Sequence, residues 1–326
     1  MKNRRLNRKS RARNYFKQQK MWLVGLGLVL LAAVFIFCAF QVGHYVGGYL
    51  ASRKVSGELQ KINTGVQNTP VPTAELNEES SNPPQAGTAT DVPFATAPPQ
   101  FGGKAVLPVV QYPLNKYAHV SDRFRKLQQQ NKDIIGWLTI ENVVDEAVVQ
   151  RDNEYYLRRD YKGFHNQNGA IFLDENCSLK TRPYAMVLYG HNMKSGAMFG
   201  FMRHYETLGY YKNHPFISFD TAYEDGRYVI FGVGTVSTRS YDKDYLDLAK
   251  LSASTVSWRH EAIQTLLNKS IYTTTIDVQP EDQILLLMTC VADDTERQVI
   301  AARRIRTGET EEMLTERVQR MKKKAY

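Results

Sequence analysis

Residues 284–302 read ILLLMTCVADDTERQVIAA. An apolar run that ends at Cys290 is followed by a polar turn over 293–296 and by a second apolar run, which Arg297 opens. This pattern predicts two strands joined by a turn. A hairpin joining 284–290 to 297–305 places Arg297 close to Cys290 across the strand pair.

Short runs rich in β-branched and aromatic residues predict further strands before this hairpin. The predicted strands are 136–140, 147–150, 170–173, 185–189, 216–219, 227–238, 271–276, 284–289 and 297–306. One helix is predicted over 120–134, with Ser121 as its N-cap, and a second over 254–268. Short strands with few helices favour a closed or nearly closed β-barrel over a βαβ fold.

The net charge of +9 comes from one end of the chain. Residues 1–20 carry nine Lys and Arg and no acid, and the remainder holds 33 basic and 33 acidic residues. A local basic tail on a neutral body argues against a nucleic-acid partner. We therefore assign 1–20 as a basic tail, and the segment that follows it places this tail on the cytoplasmic side of a membrane.

The tail runs into residues 21–40, a stretch of twenty residues without a charged side chain. Twenty helical residues span about 30 Å, the thickness of the hydrocarbon core of a bilayer. Because Lys and Arg are retained on the cytoplasmic side, the sequence predicts a single transmembrane helix over 21–42 and export of all that follows. The alternative is a cleaved signal peptide, whose apolar region is about 7–15 residues long, and no small-x-small cleavage site follows here.

After the span, a short helix over 52–62 is expected, and the composition then changes. Seven of the twelve prolines fall within 63–103, among Thr, Ser, Asn, Ala and Gly. Such a segment cannot bury enough apolar surface to order itself. We therefore predict a flexible extracellular spacer over 43–103, a catalytic domain over 104–312 and a basic C-terminal tail over 313–326.

Three residues carry candidate chemistry, and each has a simpler alternative. Cys290 is a nucleophile at a strand end or a buried core cysteine. His191 follows the strand 185–189 through Gly190 and is an acid–base group or a structural histidine. Arg297 holds developing negative charge or is a solvated arginine at a loop edge.

The other cysteines and the histidines add little chemistry. Cys38 lies in the predicted span and Cys177 in a predicted loop; a disulfide between Cys177 and Cys290 is an alternative that would consume the nucleophile. No His-x-x-x-His or Cys-x-x-Cys pair supports a zinc site. We predict no metal and no cofactor.

Taken in order, several segments resemble one family. They are DIIGWL (133–138), VVQ (148–150), DNEYYL (152–157), GAIFLD (169–174), YGHNMK (189–194), GAMF (196–199), TC (289–290) and the strand that begins with Arg297. Across residues 132–306 this order is similar to that of a class B sortase, a cysteine transpeptidase of Gram-positive bacteria. Two features depart from the class: Met288 stands where Ser is frequent, and the Cys-to-Arg spacing of seven residues is short.

The resemblance implies a mainly β fold: an eight-stranded sortase β-barrel with an N-terminal helix and a helical insertion before the cysteine strand. It implies that His191, Cys290 and Arg297 are the catalytic residues. It also implies the reaction: cleavage of a C-terminal sorting signal through a thioacyl-enzyme, and transfer of the surface protein to an amine of a peptidoglycan precursor. The membrane and these two substrates are the expected partners.

Three other functions remain open at this point. A pilus-building sortase usually carries an Asp-Pro-aromatic lid and often a second span, and neither is found in the sequence. An L,D-transpeptidase or cysteine peptidase also uses Cys and His, but papain-like enzymes place Cys before His. The third alternative is a tethered binding module that has lost catalysis.

Overall fold

The computed structural model describes residues 2–67, 119–290 and 295–325. Ten strands are present in that part of the chain: β1 (Ile134–Ile140), β2 (Val144–Val149), β3 (Ile171–Leu173), β4 (Ala185–Tyr189), β5 (Phe216–Thr221), β6 (Arg227–Ser237), β7 (Tyr272–Thr273), β8 (Ile284–Cys290), β9 (Glu296–Arg304) and β10 (Lys322–Lys323). The α-helices there are α1 (Lys2–Gln67), α2 (Asp122–Gln128), α3 (Leu208–Asn213), α4 (Leu248–Ser252), α5 (Val256–Lys269) and α6 (Glu311–Gln319). Two 3₁₀ helices cover Tyr155–Arg158 and Met202–Glu206.

Eight strands close into a barrel in the order β1-β2-β3-β4-β8-β9-β6-β5, which confirms the predicted barrel. The pairs β2–β3 and β4–β8 are parallel, and the other neighbours are antiparallel. The predicted strand 271–276 is only two residues long in the structure. As β7 it pairs with β10 outside the barrel.

Strand β8 is buried on both faces, which explains its unbroken apolar sequence. Leu285, Leu286 and Leu287 are each completely buried. They belong to one core cluster that also includes Ile263 of α5 and Leu314 of α6. A strand covered on both faces has no solvent side to require polar alternation.

Helix α1 includes the helix expected over 52–62 and continues it to Gln67. It contains the apolar window Leu26–Gly43, with a mean hydropathy of 2.5, which is long enough to cross a membrane. The helix then continues to Gln67, and Leu59 is buried where it packs with Val55, Ile62 and α2. These apolar residues recur at helical spacing and no proline interrupts them, so 53–67 forms an amphipathic helix, in agreement with the helix expected over 52–62. The first part of the predicted spacer, residues 43–67, is therefore helical. The rest of the predicted spacer, residues 68–103, lies outside the described residues.

Polar contacts fix this end of α1 to the barrel. Each is at 2.6 Å: Gln60 Nε2 to Asp145 O, Arg123 Nε to Asn63 Oδ1, and Lys162 Nζ to Glu58 Oε2. The barrel and the C-terminal end of α1 are therefore packed as one unit.

Helix α2 is shorter than the predicted 120–134, and Ile134 begins β1 instead of ending the helix. The side chain of Asn131 accepts a hydrogen bond from the backbone N–H of Asp133 at 2.9 Å, a turn that competes with helix continuation. Ser121 occupies the N-cap position without a side-chain capping bond. The predicted helix 254–268 is confirmed within two residues as α5.

The C-terminal segment also differs from the prediction. Helix α6 begins at Glu311, with Thr310 as its N-cap, and buries Leu314 and Val318 completely. Met321 is buried as well. The predicted basic tail over 313–326 is therefore built into the domain: the apolar side of α6 completes the core, and Lys322 and Lys323 form β10.

Candidate active site

Three neighbouring strands bring the predicted site residues to one rim of the barrel. Strands β4 and β8 run parallel, with Tyr189 paired to Met288. The Gly190 N–H donates to Met288 O at 3.3 Å, which continues the pairing by one residue. Because parallel strands end at the same edge, Cys290, the last residue of β8, and His191, the second residue after β4, are at adjacent places on the rim.

Strand β9 starts at the same rim. It runs antiparallel to β8, and Arg297 is the register partner of Cys290. Directly opposed residues in such a pair have Cα atoms about 4.5–5.5 Å apart. The predicted hairpin between these strands is therefore present, and its turn, residues 291–294, lies outside the described residues.

The loop after β4 holds His191 in a tight turn. The backbone N–H groups of Met193 and Phe199 both donate to His191 O at 3.0 Å. A Cβ at Gly190 would lie 2.9 Å from the ring of Phe199, so the residue before His191 has to be glycine. Arg203 Nη2 donates to Met193 O at 2.6 Å and ties the loop to the next turn.

The imidazole of His191 is half-buried, and its surroundings disfavour the charged form. Burial lowers the pKa of His191, and the guanidinium of Arg158 lowers that pKa further. The neutral ring is therefore favoured near pH 7, as suits a proton acceptor. Arg158, on the 3₁₀ helix Tyr155–Arg158, was not anticipated from the sequence, because it reaches His191 only through the fold.

Arg297 is half-buried, and its Nη1 donates to Glu296 O at 3.1 Å. Its positive charge also acts on Tyr189, whose hydroxyl donates to Asp174 Oδ2 at 3.0 Å. The motifs quoted above contain both Tyr189 and Asp174, but the sequence did not indicate their contact.

Thr289 lies between Met288 and Cys290 on β8, on the opposite face of the strand from both. It is 2% exposed, and its hydroxyl has no hydrogen-bond partner within the described residues. Its register partner is Gln298 on β9. The strand alternation therefore separates Thr289 from the face that Cys290 and Arg297 share.

Cys177 is an unpaired cysteine, so the alternative disulfide with Cys290 is absent from the structure. Burial, with a smaller effect of Asp174, raises the pKa of the Cys177 thiol to about 12. Such a thiol is protonated at neutral pH and unreactive. In the described part of the chain, no group of three or more His, Cys, Asp or Glu side chains is placed to hold a metal ion.

A sortase-domain family model matches residues 138–305, from within β1 to just beyond β9. Sortase B of Listeria monocytogenes is 32% identical over 196 residues, covering 60% of this chain and 76% of the relative. Sortase B of Staphylococcus aureus is 27% identical over 203 residues, covering 58% and 78%.

Solved structures agree with these relatives. The crystal structure of a sortase B-like protein from Bacillus anthracis is 27% identical and covers 79% of this chain and 97% of its own, with a TM-score of 0.57. A Staphylococcus aureus sortase B–substrate complex is 26% identical and covers 58% and 88%, with a TM-score of 0.51. Because the matched segment covers just over half of the chain and runs from the middle of β1 to the end of β9, the chain belongs to the sortase family, and its relatives place it among the class B sortases, which are cysteine transpeptidases.

Proposed function

We propose that Cys290, His191 and Arg297 are the catalytic residues of this transpeptidase. The observation that carries the proposal is the adjacency of β4, β8 and β9 at one rim, where the register pairs Cys290 with Arg297. An activated nucleophile needs an acid–base group and a stabiliser of negative charge within reach. Here Cys290 is the last residue of β8, Arg297 is the second residue of β9, and His191 is the second residue after β4.

In the first half-reaction, the Cys290 thiolate attacks the carbonyl carbon of a Thr–Gly-type peptide bond in the C-terminal sorting signal of an exported protein. The guanidinium of Arg297 stabilises the oxyanion of the tetrahedral intermediate. The C–N bond then breaks, and protonated His191 donates its proton to the leaving amine. The product is a thioacyl-enzyme and a released C-terminal peptide.

In the second half-reaction, an amine of a cell-wall precursor attacks the thioacyl carbonyl. Neutral His191 accepts the proton of that amine, and the Cys290 thiolate leaves. The surface protein is thereby joined to the precursor through an amide bond.

The ionisation of the Cys290 thiol and the His191 imidazole leads us to expect a slow enzyme. With an unperturbed thiol near 8.5 and an imidazole near 6.5, about 1% of molecules carry thiolate and imidazolium together at the optimum. The lowered pKa of His191 reduces that fraction further unless the thiol pKa falls as well. We expect a bell-shaped pH profile and a low turnover number.

The membrane assignment rests on α1. Its apolar window Leu26–Gly43 follows a basic N-terminal segment, which favours a cytoplasmic N-terminus and an extracellular catalytic domain. Placed there, the barrel meets membrane-tethered surface proteins and lipid-linked precursors at the outer face. Protease protection in intact cells carrying N- and C-terminal epitope tags tests this orientation: external protease removes the C-terminal tag only.

The decisive experiment presents full-length protein in detergent with a library of sorting-signal peptides and a set of amine acceptors. Mass spectrometry then identifies the peptide that is cleaved and whether the product is an amide or a free acid. Cys290→Ala abolishes both products, whereas Cys177→Ala, the matched control, keeps them. A Cys290→Ala protein that still transfers peptide refutes the assignment, and a wild-type protein that only binds peptide indicates the non-catalytic alternative.

A further inference from the structure

The loop that joins β6 to α4, residues 238–247, lies at the rim that holds the proposed site, and we name it the rim loop. Val236, near the end of β6, is the register partner of Arg297 on β9. The backbone N–H of Thr238 then donates to Thr295 O at 2.9 Å. The rim loop therefore begins beside the strand that carries Arg297.

An ion pair ties the rim loop to helix α5. Asp244 of the rim loop pairs through its Oδ1 with Nζ of Lys269, the last residue of α5, and both side chains are partly exposed. The backbone of Asp244 is also fixed, because its carbonyl accepts a hydrogen bond from the N–H of Ser237 at 2.9 Å. The position of α5 therefore helps to fix the position of the rim loop.

The end of α5 that carries Lys269 is packed tightly against β6. A Cβ at Gly234 would overlap with Lys269 O, so this close approach requires glycine. The backbone N–H of Ile271 donates to Val233 O at 2.8 Å, and Ser270 forms a bridge with Gly234. The C-terminal end of α5 thus has one defined place on the strand that leads to the rim.

Lys324, from the C-terminal segment, caps the same end of α5. Its Nζ donates to Leu267 O at 2.9 Å and to Asn268 O at 3.1 Å, two carbonyls of the last helical turn. The last carbonyls of a helix have no partner within the helix, and the helix dipole favours a cation beside them. The pairing of β10 with β7, and the hydrogen bond from Lys324 N–H to Ile271 O at 2.9 Å, keep the lysine in this position.

We propose that Lys269 and Lys324 are positioning residues that hold the rim loop beside the proposed site. Lys324 fixes the C-terminal end of α5, and Lys269 connects this end to Asp244 of the rim loop. This inference rests on the proposed catalytic role of Cys290 and Arg297. Neither lysine takes part in the bond changes. Their effect is on binding of the sorting signal, because the rim loop borders the site but carries none of the three reacting groups.

The first test is a charge exchange on full-length protein, with transfer of the sorting peptide selected from the library as the readout. Asp244→Lys and Lys269→Glu each replace an attraction with a repulsion, and we expect each to raise KM about two- to fivefold with little change in kcat. The double exchange restores the pair in the opposite direction, so KM should return to within about twofold of wild type. Lys250 of α4 and Glu261 of α5 form an ion pair at 2.6 Å, and Glu261→Lys is the matched control that should leave KM unchanged.

A second readout reports on the rim loop without any reaction. Tyr241 of the rim loop is 78% exposed, so the rate of chymotrypsin cleavage after this residue, followed by mass spectrometry, measures how readily the loop opens. We expect Asp244→Lys and Lys324→Met to speed this cleavage about two- to fivefold and Lys324→Met to raise KM in parallel. Lys324→Arg should restore most of the loss, because arginine can also donate to the last carbonyls of a helix. Lys322→Met, at an exposed position of β10, is the matched control.

A double exchange that leaves KM raised, or an equal rise in KM for Glu261→Lys, overturns the role of Lys269. An unchanged KM and cleavage rate in Lys324→Met overturns the role of Lys324. If the exchanged pair does not fold, Lys269→Met, which removes the attraction without adding a repulsion, carries the same test through both readouts. Failure of the proposed function is recognised separately, because Cys290→Ala then retains transfer, while chymotrypsin cleavage still reports whether the two lysines hold the rim loop.

Discussion

We expect Glu146 to make the packing of α1 against the barrel depend on pH. It lies half-buried on β2, in a small cavity that Val55 and Leu59 of α1 line from the other side. Burial raises the pKa of Glu146 from 4.5 to about 7, and a hydrogen bond with Ser56 opposes the shift. The neighbouring carboxylate of Asp145 raises that pKa further.

The sign and size of the effect follow from linkage. A folded-state pKa above the unfolded value means that the folded state favours the protonated carboxyl. The stabilising contribution is complete below pH 4.5 and is lost as the pH rises through 7. The difference between 4.5 and about 7 corresponds to about 3 kcal/mol at most, lost at about 1.4 kcal/mol per pH unit.

The perturbation is Glu146→Gln, which keeps a hydrogen-bonding amide and cannot ionise. Urea unfolding of the full chain in detergent, followed by tryptophan fluorescence from pH 4.5 to 8, gives the free energy of unfolding. Trp137 is a suitable probe, because it is buried and its Nε1 donates to Asp145 Oδ1 at 2.6 Å. We expect the variant and the wild type to be similar near pH 4.5 and the variant to be more stable by up to about 3 kcal/mol at pH 8.

The exposed Glu141, in the turn before β2, supplies the matched control. Glu141→Gln should follow the wild-type profile. Parallel wild-type and Glu146→Gln curves across this pH range would refute the reasoning, because the difference between them isolates the titration of one carboxyl.

Three further predictions concern the site and the core. Arg158→Gln should move the His191 limb of the pH–rate profile to higher pH, because one cause of the lowered His191 pKa is removed, whereas Arg158→Lys should leave that limb in place. Leu314→Ala should lower the free energy of unfolding by about 2–5 kcal/mol in a urea titration, since Leu314 is completely buried, and a loss below 0.5 kcal/mol would support the tail interpretation. Iodoacetamide at pH 8 should modify Cys290 and leave Cys177 intact on peptide mapping, since burial keeps the Cys177 thiol protonated; equal modification of both would contradict this.

The barrel strands could be predicted because their signals are local. The run before Cys290, the polar turn and the run after Arg297 define a hairpin by themselves, and the structure pairs these strands in that register. The parallel pairing of β4 with β8 could not be derived in this way, because no turn joins the two strands and their residues are far apart in the chain. Placing His191 beside Cys290 therefore depended on the family resemblance.

The errors fall at the two ends of the domain, where burial depends on tertiary contacts. Leu59 and Leu314 lie in charged, polar sequence, and only their packing against other elements shows that they are core residues. The same holds for the contact between Tyr189 and Asp174, which exists because β3 and β4 are antiparallel neighbours. The composition of these segments is polar and charged, as read from the sequence, but it does not indicate which elements pack against them.

The order in which the strands are synthesised determines when the enzyme can become active. The segment with His191 is made about a hundred residues before Cys290 and Arg297, which belong to the last tenth or so of the chain. Strand β8 must then pair with both β4 and β9 to complete the ring. Pairings of such long sequence separation form slowly. A nascent or truncated chain therefore exposes no assembled nucleophilic centre, and acyl transfer begins only after synthesis has ended and the ring has closed.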